Sequence, residues 1–412
     1  MVERESADCV IVGGGIGGAV LARALARHGH RIIVLEREHQ PILAARPEVL
    51  ARSTLEIFNR LGVGSRILQD AAVPLRALEA YQAGGKRLFD LSEAVFRQAN
   101  AQPYSTDPAA TRRILLEELP PTAQVLRGVE VTGLLRETGE VVGVRALRGQ
   151  EPLTVSARLI VGDDGVRSRI REEAGIALRL RAFPLDFLAA AGPMVPGLPE
   201  ATGQAWIDPA GVRRGLFGAI FLPIPANRCA MVFLLRSVAY DRFRGKNPAV
   251  FYDAAARLSP RCATLAEHYR FPDGFARIQR PFGHAPRYAS GRVMLLGDAA
   301  HPVTPVGGQG ANMSVADAAI LAEAVHRALT HGDGLAQALA AYEANRRPAN
   351  HRSLQFSVRA TRVLRAFEAM PWLAPLGASL LARINQMPDL KIRFVRAIST
   401  TFASSALSLD AR

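Results

Sequence analysis

Residues 13–18 read Gly-Gly-Gly-Ile-Gly-Gly, so glycines fall at Gly13, Gly15 and Gly18 in the spacing G-x-G-x-x-G. Residues 8–12 before them are apolar and β-branched, and residues 16–28 after them have helical spacing that Gly29 ends. Residues 31–36 are a second β-branched run. Strand, tight turn, helix and strand make a βαβ unit, which requires a parallel sheet and an α/β, Rossmann-like fold. Each glycine has its own reason. Gly13 permits the turn, Gly15 lets a diphosphate approach the backbone, and Gly18 lets helix and strand pack closely. The helix that opens at Ile16 presents free N–H groups to an anion. Glu36 lies 36 − 18 = 18 residues past the last glycine, where a carboxylate can accept from ribose hydroxyls, and Arg37 is placed along an adenosine. A glycine turn by itself occurs in many strand-to-helix connections. With the strand, the helix and the acid all in place, a dinucleotide is the expected ligand.

Farther along, residues 49–61 carry Leu50, Leu55, Phe58 and Leu61 near a helical repeat stopped by Gly62, and 111–119 predicts another short helix. Residues 73–99 give no clear pattern, whereas 125–161 contains several alternating runs. Between 176 and 282 prolines and glycines punctuate short β-rich runs such as 216–224 and 231–235, which predicts an antiparallel sheet. The buried-strand pattern returns at 292–296, a long apolar helix is expected over 311–329, and the chain from Tyr342 onward is helical and rich in arginine. The organisation expected is a discontinuous nucleotide-binding domain (1–72, 100–175 and 283–345), a β-sheet substrate domain (73–99 and 176–282) and a helical C-terminal segment (346–412).

Composition narrows the function classes. Cys9, Cys229 and Cys262 are scattered, which predicts neither a disulfide framework nor a metal site. Lys and Arg number 51 against 37 Asp and Glu, a formal charge of +14, but the excess is arginine spread along the chain without the aromatic interleaving of a nucleic-acid groove. No nucleic-acid partner is expected. Residues 1–8 are mostly polar and lead straight into a strand, so no signal peptide is read and a cytoplasmic address is expected. The apolar stretch 370–382 is broken by Pro371 and Pro375 and is too short to span a bilayer.

Two further motifs carry the chemistry. The first is 159–171, Leu-Ile-Val-Gly-Asp-Asp-Gly-Val-Arg-Ser-Arg-Ile-Arg, a buried strand running into an acidic turn and a basic helix start. The second is Gly297-Asp298-Ala299-Ala300-His301-Pro302, followed by Pro305-Val306-Gly307-Gly308-Gln309-Gly310-Ala311-Asn312. With the glycine turn, these three motifs in this order resemble the FAD-dependent aromatic hydroxylases, the flavoprotein monooxygenases typified by para-hydroxybenzoate hydroxylase and the ubiquinone-pathway hydroxylases. The resemblance covers roughly the first 350 residues.

That resemblance implies an FAD-binding domain with NAD(P)H as co-substrate. It implies that Asp298 bonds the ribityl chain and that the backbone from Gly307 to Asn312, including Gly308, Gly310 and Ala311, faces the flavin ring at a helix N-terminus, where a positive dipole end stabilises reduced flavin. Arg46 resembles an arginine that reaches flavin and nicotinamide, Arg112 resembles another FAD contact, and Asp164 matches the acid associated with both nucleotides. Asp163 stands where a small residue is commoner. Asp164, Arg167 and Arg171 have a plainer reading as decoration of a helix start. His301 is read as a packing residue rather than a base, while Pro305 and Gly308 are expected where substrate meets flavin.

The implied reaction is hydroxylation of an aromatic (phenolic, quinolone or polyketide-like) small molecule with NAD(P)H and O2 through a flavin C4a-hydroperoxide. Trp206, Arg213, Phe217, Phe221 and Phe233 are candidate substrate walls, although alternating Phe in a strand also reads as sheet core and Arg213 as a solvated turn. A flavin halogenase is disfavoured, since the two tryptophans, Trp206 and Trp372, cannot form a Trp-x-Trp-x-Ile-Pro signature. A flavin-dependent reductase of prenyl-type double bonds and a non-catalytic FAD-binding protein stay open, as does the choice between monomer and homodimer. Arg362, Arg365, Arg383, Lys391, Arg393 and Arg396 among apolar residues predict either a cationic covering of the domain surface or weak peripheral contact with anionic lipid.

Overall fold

The computed structural model describes residues 3–40, 48–195, 197–208, 211–245, 247–305, 307–331, 334–370 and 373–400. Strand β1 (Glu3–Val12) lies at the centre of an eight-stranded sheet because both its neighbours are parallel and both its faces are covered. On one side Cys9 is in register with Ile32 of β2 (Ile32–Glu36), and on the other with Leu159 of the strand Glu151–Gly162. Cys9, Val10, Ile11, Leu159, Ile160 and Val161 are all fully buried, so these strands read as unbroken apolar runs instead of alternating ones. The sheet continues outward through the parallel strands Ala123–Arg127 and Val293–Leu295 and ends in antiparallel additions, among them the hairpin Val129–Glu137 and Glu140–Arg148.

Helix α1 (Ile16–Arg27) crosses this sheet packed under two other helices, Pro108–Leu116 and Gln309–His331. Its small residues permit that burial. Arg23, itself buried, donates from Nε to the Leu115 carbonyl (2.9 Å) and from Nη2 to Ile114 (3.3 Å), filling acceptors that the end of the helix Pro108–Leu116 leaves open. That helix begins at Pro108, ahead of the residue 111 expected, because Asp107 caps it by accepting from the N–H groups of Ala109 and Ala110, and proline is tolerated at the first position. The 49–61 helix is shorter than expected. Glu48–Leu50 pairs as a strand with Tyr104–Thr106, and the helix proper is Arg52–Arg60.

A seven-stranded sheet runs Ala276–Ile278, Leu185–Pro193, Arg228–Arg236, Leu216–Ile224, Thr202–Ile207, Ala77–Gln82 and Arg87–Ser92. All its pairs are antiparallel except that between Thr202–Ile207 and Ala77–Gln82. One face is covered by the helices Ala249–Leu258 and Pro260–His268, which the β-rich punctuation of the sequence concealed. The other face turns toward the C-terminal edge of the first sheet.

Helices Gln309–His331 and Leu335–Ala369 are joined through a buried ionic cluster. Asp317 receives Arg346 Nε on Oδ1 and His301 Nε2 on Oδ2, both at 2.5 Å, and Asn350 Nδ2 at 3.0 Å. Asp317 and Arg346 are 0% and 1% exposed in their side chains. Burial alone would raise the Asp317 carboxyl, but the charges of Arg346 and His301 outweigh it and hold it below its ordinary range. A carboxyl lowered on folding stabilises the native state above its unfolded pKa, and that contribution is lost as pH falls through the folded value. Removing one partner of a buried pair strands the other. Asp317→Asn is therefore expected to destabilise the protein by about 3–5 kcal/mol, read as a lowered denaturation midpoint; a midpoint equal to that of the parent would refute this account of the cluster.

Candidate functional site

Three parallel strands end at one place. β1 runs into Gly13, the strand Glu151–Gly162 into Asp163, and Val293–Leu295 into Gly297 and Asp298. The ladder is carried past the strand ends by the N–H of Gly13 on the Leu35 carbonyl (2.8 Å), of Asp163 on Val12 (2.8 Å) and of Leu296 on Gly162 (2.9 Å). The carboxyl end of a parallel sheet is where nucleotide clefts form, and here it opens into a cavity of about 310 Å³.

The glycine turn is as tight as its spacing predicts. Gly13 has φ +106°, and a Cβ placed there would lie 2.3 Å from the Asp163 carbonyl oxygen. A Cβ on Gly18 would lie 2.4 Å from the Gly13 carbonyl oxygen. Gly15 starts α1 with no side-chain cap, so the first amides of the helix are left for a ligand, and Gly15, Ile16 and Gly17 line the cavity. Glu36 accepts from the Gly14 N–H on Oε2 (2.7 Å) and from the Glu38 N–H on Oε1 (2.9 Å), which fixes its carboxylate at the rim. A small cleft there is lined by Gly14, Glu36, Glu38, Arg112 and Arg127, and Arg112 lines the main cavity as well. Arg37 lies outside both clefts: its guanidinium is exposed and meets Glu38 at 3.4 Å.

The acidic turn divides its labour in a way the sequence did not disclose. Asp164 turns away from the cavity and accepts the Ile170 N–H on Oδ2 (3.1 Å), while Ser168 Oγ accepts the Arg171 N–H (2.9 Å), so the pair cap the helix Arg169–Glu173. Arg171 is buried and donates to the Ala299 carbonyl (3.0 Å), whereas Arg167 is exposed. Asp163 is the acid that lines the cavity. Of the two adjacent acids, Asp164 takes the helix cap and Asp163 the cavity wall.

On the opposite wall Asp298 is bound by Arg280 (Oδ2 to Nη1, 2.5 Å), so a residue following the second sheet reaches the first sheet's strand end. Pro305, Gly308, Gln309, Gly310 and Ala311 line the cavity at the start of the helix Gln309–His331, directing its N-terminal dipole inward. Gly307 and Gly308 have φ +84° and +65°, conformations that favour glycine. Asn312 does not line the cavity. Its side chain accepts from Ala51 N–H (2.8 Å) and Thr54 Oγ1 (2.7 Å) and donates to the carbonyls of Val49 (2.9 Å) and Gly308 (3.1 Å), clamping the loop to the neighbouring helix. His301 is buried against Asp317. Arg46 lies outside the described residues.

Of the candidate substrate walls, Trp206, Phe221 and Phe233 pack together on the far face of the second sheet, against Phe251 and the covering helices. Alternation put them there: the cavity instead receives Phe187, Ala189, Val232 and Ile278 from the near face. Phe217 packs behind that wall with Phe187 and Val303, its strand shifted in register between Leu216 and Gly218. Arg213 is exposed. Residues that sequence reasoning missed are these four, Arg280, Thr304 and Glu48. The Glu48 carboxyl is pushed up to about 7 by burial, with Arg112 opposing and Asp298 and Asp107 adding to the shift. The Thr304 hydroxyl is buried with no partner among the described residues.

These features fit FAD: glycines that exclude a Cβ, uncapped helix amides for a diphosphate, a carboxylate at the adenosine rim, Arg112 between the two clefts, and a second helix N-terminus facing an apolar wall. Comparison with known proteins agrees. A family model described as an FAD binding domain matches residues 6–357. A ubiquinone hydroxylase of Rhodospirillum rubrum is 32% identical over 373 residues, covering 84% of this chain and 78% of that protein. A kynurenine 3-monooxygenase of Salinispora arenicola is 31% identical over 383 residues, with 84% and 78% covered. Among solved structures, p-nitrophenol 4-monooxygenase of Pseudomonas putida superposes with a TM-score of 0.80 at 19% identity, covering 98% of this chain and 100% of that one, which shows the shared fold. The chain thus belongs to the FAD-binding-domain family of flavoprotein aromatic hydroxylases and is an FAD-dependent monooxygenase.

Proposed function

We propose that this enzyme hydroxylates a small, electron-rich aromatic molecule held between Pro305 and the near face of the second sheet. The observation that carries this reading is the continuity of one cavity from the glycine turn to an apolar wall of Phe187, Ala189, Val232, Ile278 and Val303. Bound FAD supplies electron transfer from NAD(P)H and activation of O2. The chain supplies position and exclusion of water. Apolar side chains at the wall offer flat, desolvated contact to a ring, and Thr304 offers an unspent hydroxyl. Relatives of the chain include a ubiquinone hydroxylase, a kynurenine 3-monooxygenase and a 6-methylpretetramide 4-monooxygenase.

Screening phenols, quinolones and polyketide aromatics for stimulated NAD(P)H oxidation under oxygen-18 is expected to give a product one labelled oxygen heavier. Stimulated oxidation that yields only unlabelled, reduced product would refute hydroxylation and restore the double-bond reductase. We also assign Asp298 to the ribityl side of the cofactor. Asp298→Ala is expected to purify with much less flavin per chain or to lose its reactivity, and full occupancy with parental turnover would contradict the assignment.

The helices Leu373–Asn385 and Pro388–Thr400 favour a lipid contact over a plain cationic covering. Leu376, Leu380, Met387, Leu390 and Phe394 are exposed beside exposed Arg383 and Arg393, whereas Lys391 is drawn to Asp90 and Arg396 donates to the Gln98 carbonyl. Among the described residues no helix is long and apolar enough to cross a membrane. Exposed leucines beside arginines suit the headgroup boundary of an anionic bilayer. Flotation with phosphatidylglycerol vesicles at low salt is expected to carry the protein upward and neutral phosphatidylcholine vesicles to leave it behind. Failure to float with either vesicle would remove the proposal.

A further inference from the structure

Asp163 is an acid placed where a dinucleotide brings its own negative charge. Its Oδ2 accepts the Gly18 N–H at 2.7 Å, the one hydrogen bond its side chain receives among the described residues. Four glycines wall it in. A Cβ added at Gly15 would meet Oδ2 at 2.7 Å, at Gly18 at 3.1 Å, and at Gly17 and Gly297 would meet Oδ1 at 3.4 and 2.6 Å. The carboxyl therefore fills a slot behind the diphosphate turn and lines the same cavity as the open amides of Gly15 and Ile16.

The groups around it from each packed element are mostly acidic or neutral. Asp164 follows it in the turn, Glu36 closes β2, Asp298 follows the strand Val293–Leu295 with Arg280 paired to it, and Glu48 and Arg112 line the cavity. Ser314 of the helix Gln309–His331 and Tyr342 of the helix Leu335–Ala369 are neutral neighbours. An ionised carboxylate is an acceptor only, and so is a diphosphate. Two bare anions in one enclosed amide nest repel each other, and a single proton converts that repulsion into a charge-assisted hydrogen bond.

We propose that Asp163 is a cofactor-positioning residue that works as a neutral acid, one oxygen accepting the Gly18 N–H and the other donating its proton to the diphosphate of FAD, so that this chain holds FAD more loosely as pH rises. Desolvation supports it: enclosure raises the Asp163 carboxyl well above the ordinary range, the Gly18 N–H opposes the shift, and Asp298, Asp164 and Glu36 add to it. The sign follows from linkage. FAD raises the carboxyl further, so affinity is complete below the FAD-free pKa and falls as pH climbs from that value to the FAD-bound one, by at most about tenfold in Kd per pH unit.

The measurement is FAD release on dilution of the holoprotein, followed by the rise of free-flavin fluorescence between about pH 6 and about pH 9. The wild-type Kd is expected to climb with pH. Asp163→Asn keeps an acceptor for Gly18 and a donor for phosphate but cannot titrate, so its Kd should stay flat. Asp163→Ala should also be flat, and weaker than the parent at low pH by about tenfold or more. Calorimetry in two buffers of different ionisation enthalpy should show proton uptake on FAD binding by the wild type and none by Asp163→Asn. A flat wild-type profile overturns the proposal, even where neither variant folds, and so does a pH slope in Asp163→Asn equal to that of the parent.

Discussion

The contact on which the site depends is the approach of Gly13 to the carbonyl of Asp163, too close for any Cβ. Two parallel strands, each buried on both faces, end at the same height because Val12 is in register with Gly162. Their common end forces the chain of one to turn against the other. Only glycine tolerates that turn at φ +106°. From it follow the direction of α1, the exposure of its first amides, and the position of the second acidic loop beneath them. The anion site is thus a by-product of strand register, and a slip of one residue would reverse the faces of the strand that moved.

The second sheet contributes by proximity. Its near face places Phe187, Ala189, Val232 and Ile278 opposite the loop at Pro305, while the far face is sealed by two helices and a dense aromatic cluster. Arg280, just beyond this sheet, reaches Asp298 at the end of a strand of the first. A charge-assisted bond between two separate sheets fixes the width of the cavity more directly than apolar packing does, because it specifies distance and orientation together.

Sequence reasoning found the parts of the site that obey local rules. Gly13, Gly15, Gly18 and Glu36 were legible because turn geometry and strand ends constrain residue type within a few positions. Asp298 and Pro305 were reached through a motif. What failed was non-local. Alternation along Leu216–Ile224 shows that two faces differ but not which one meets the cavity, so it leaves open that Phe221 and Phe233 pack on the face turned from it. Asp163 and Asp164 are adjacent acids of one turn, and the choice of which caps a helix is settled by Ser168 and Ile170 further along. Arg280 has no local signature, since its partner is set by how two sheets meet. The helices at Ala249–Leu258 and Pro260–His268 were hidden by a neighbourhood whose prolines read as strand punctuation.

The loop that faces the flavin side of the cavity is held from behind. Gly307 and Gly308 sit at positive φ and contribute no side chains, so their conformation must be imposed by neighbours. Two clamps do this. Asn312 uses three hydrogen bonds to bind the first turn of its helix to residues 49–54 and a fourth to hold the Gly308 carbonyl. One turn and a half further on, Asp317 binds both His301, at the other end of the loop, and Arg346 of the long C-terminal helix. The ends of this loop, at His301 and at the helix start, are therefore pinned by buried charge and amide groups in addition to the apolar packing of Val303. Because those bonds are directional, they set where Pro305 and the helix N-terminus point. The conspicuous histidine of the motif is buried behind the loop, where it fixes the backbone through Asp317.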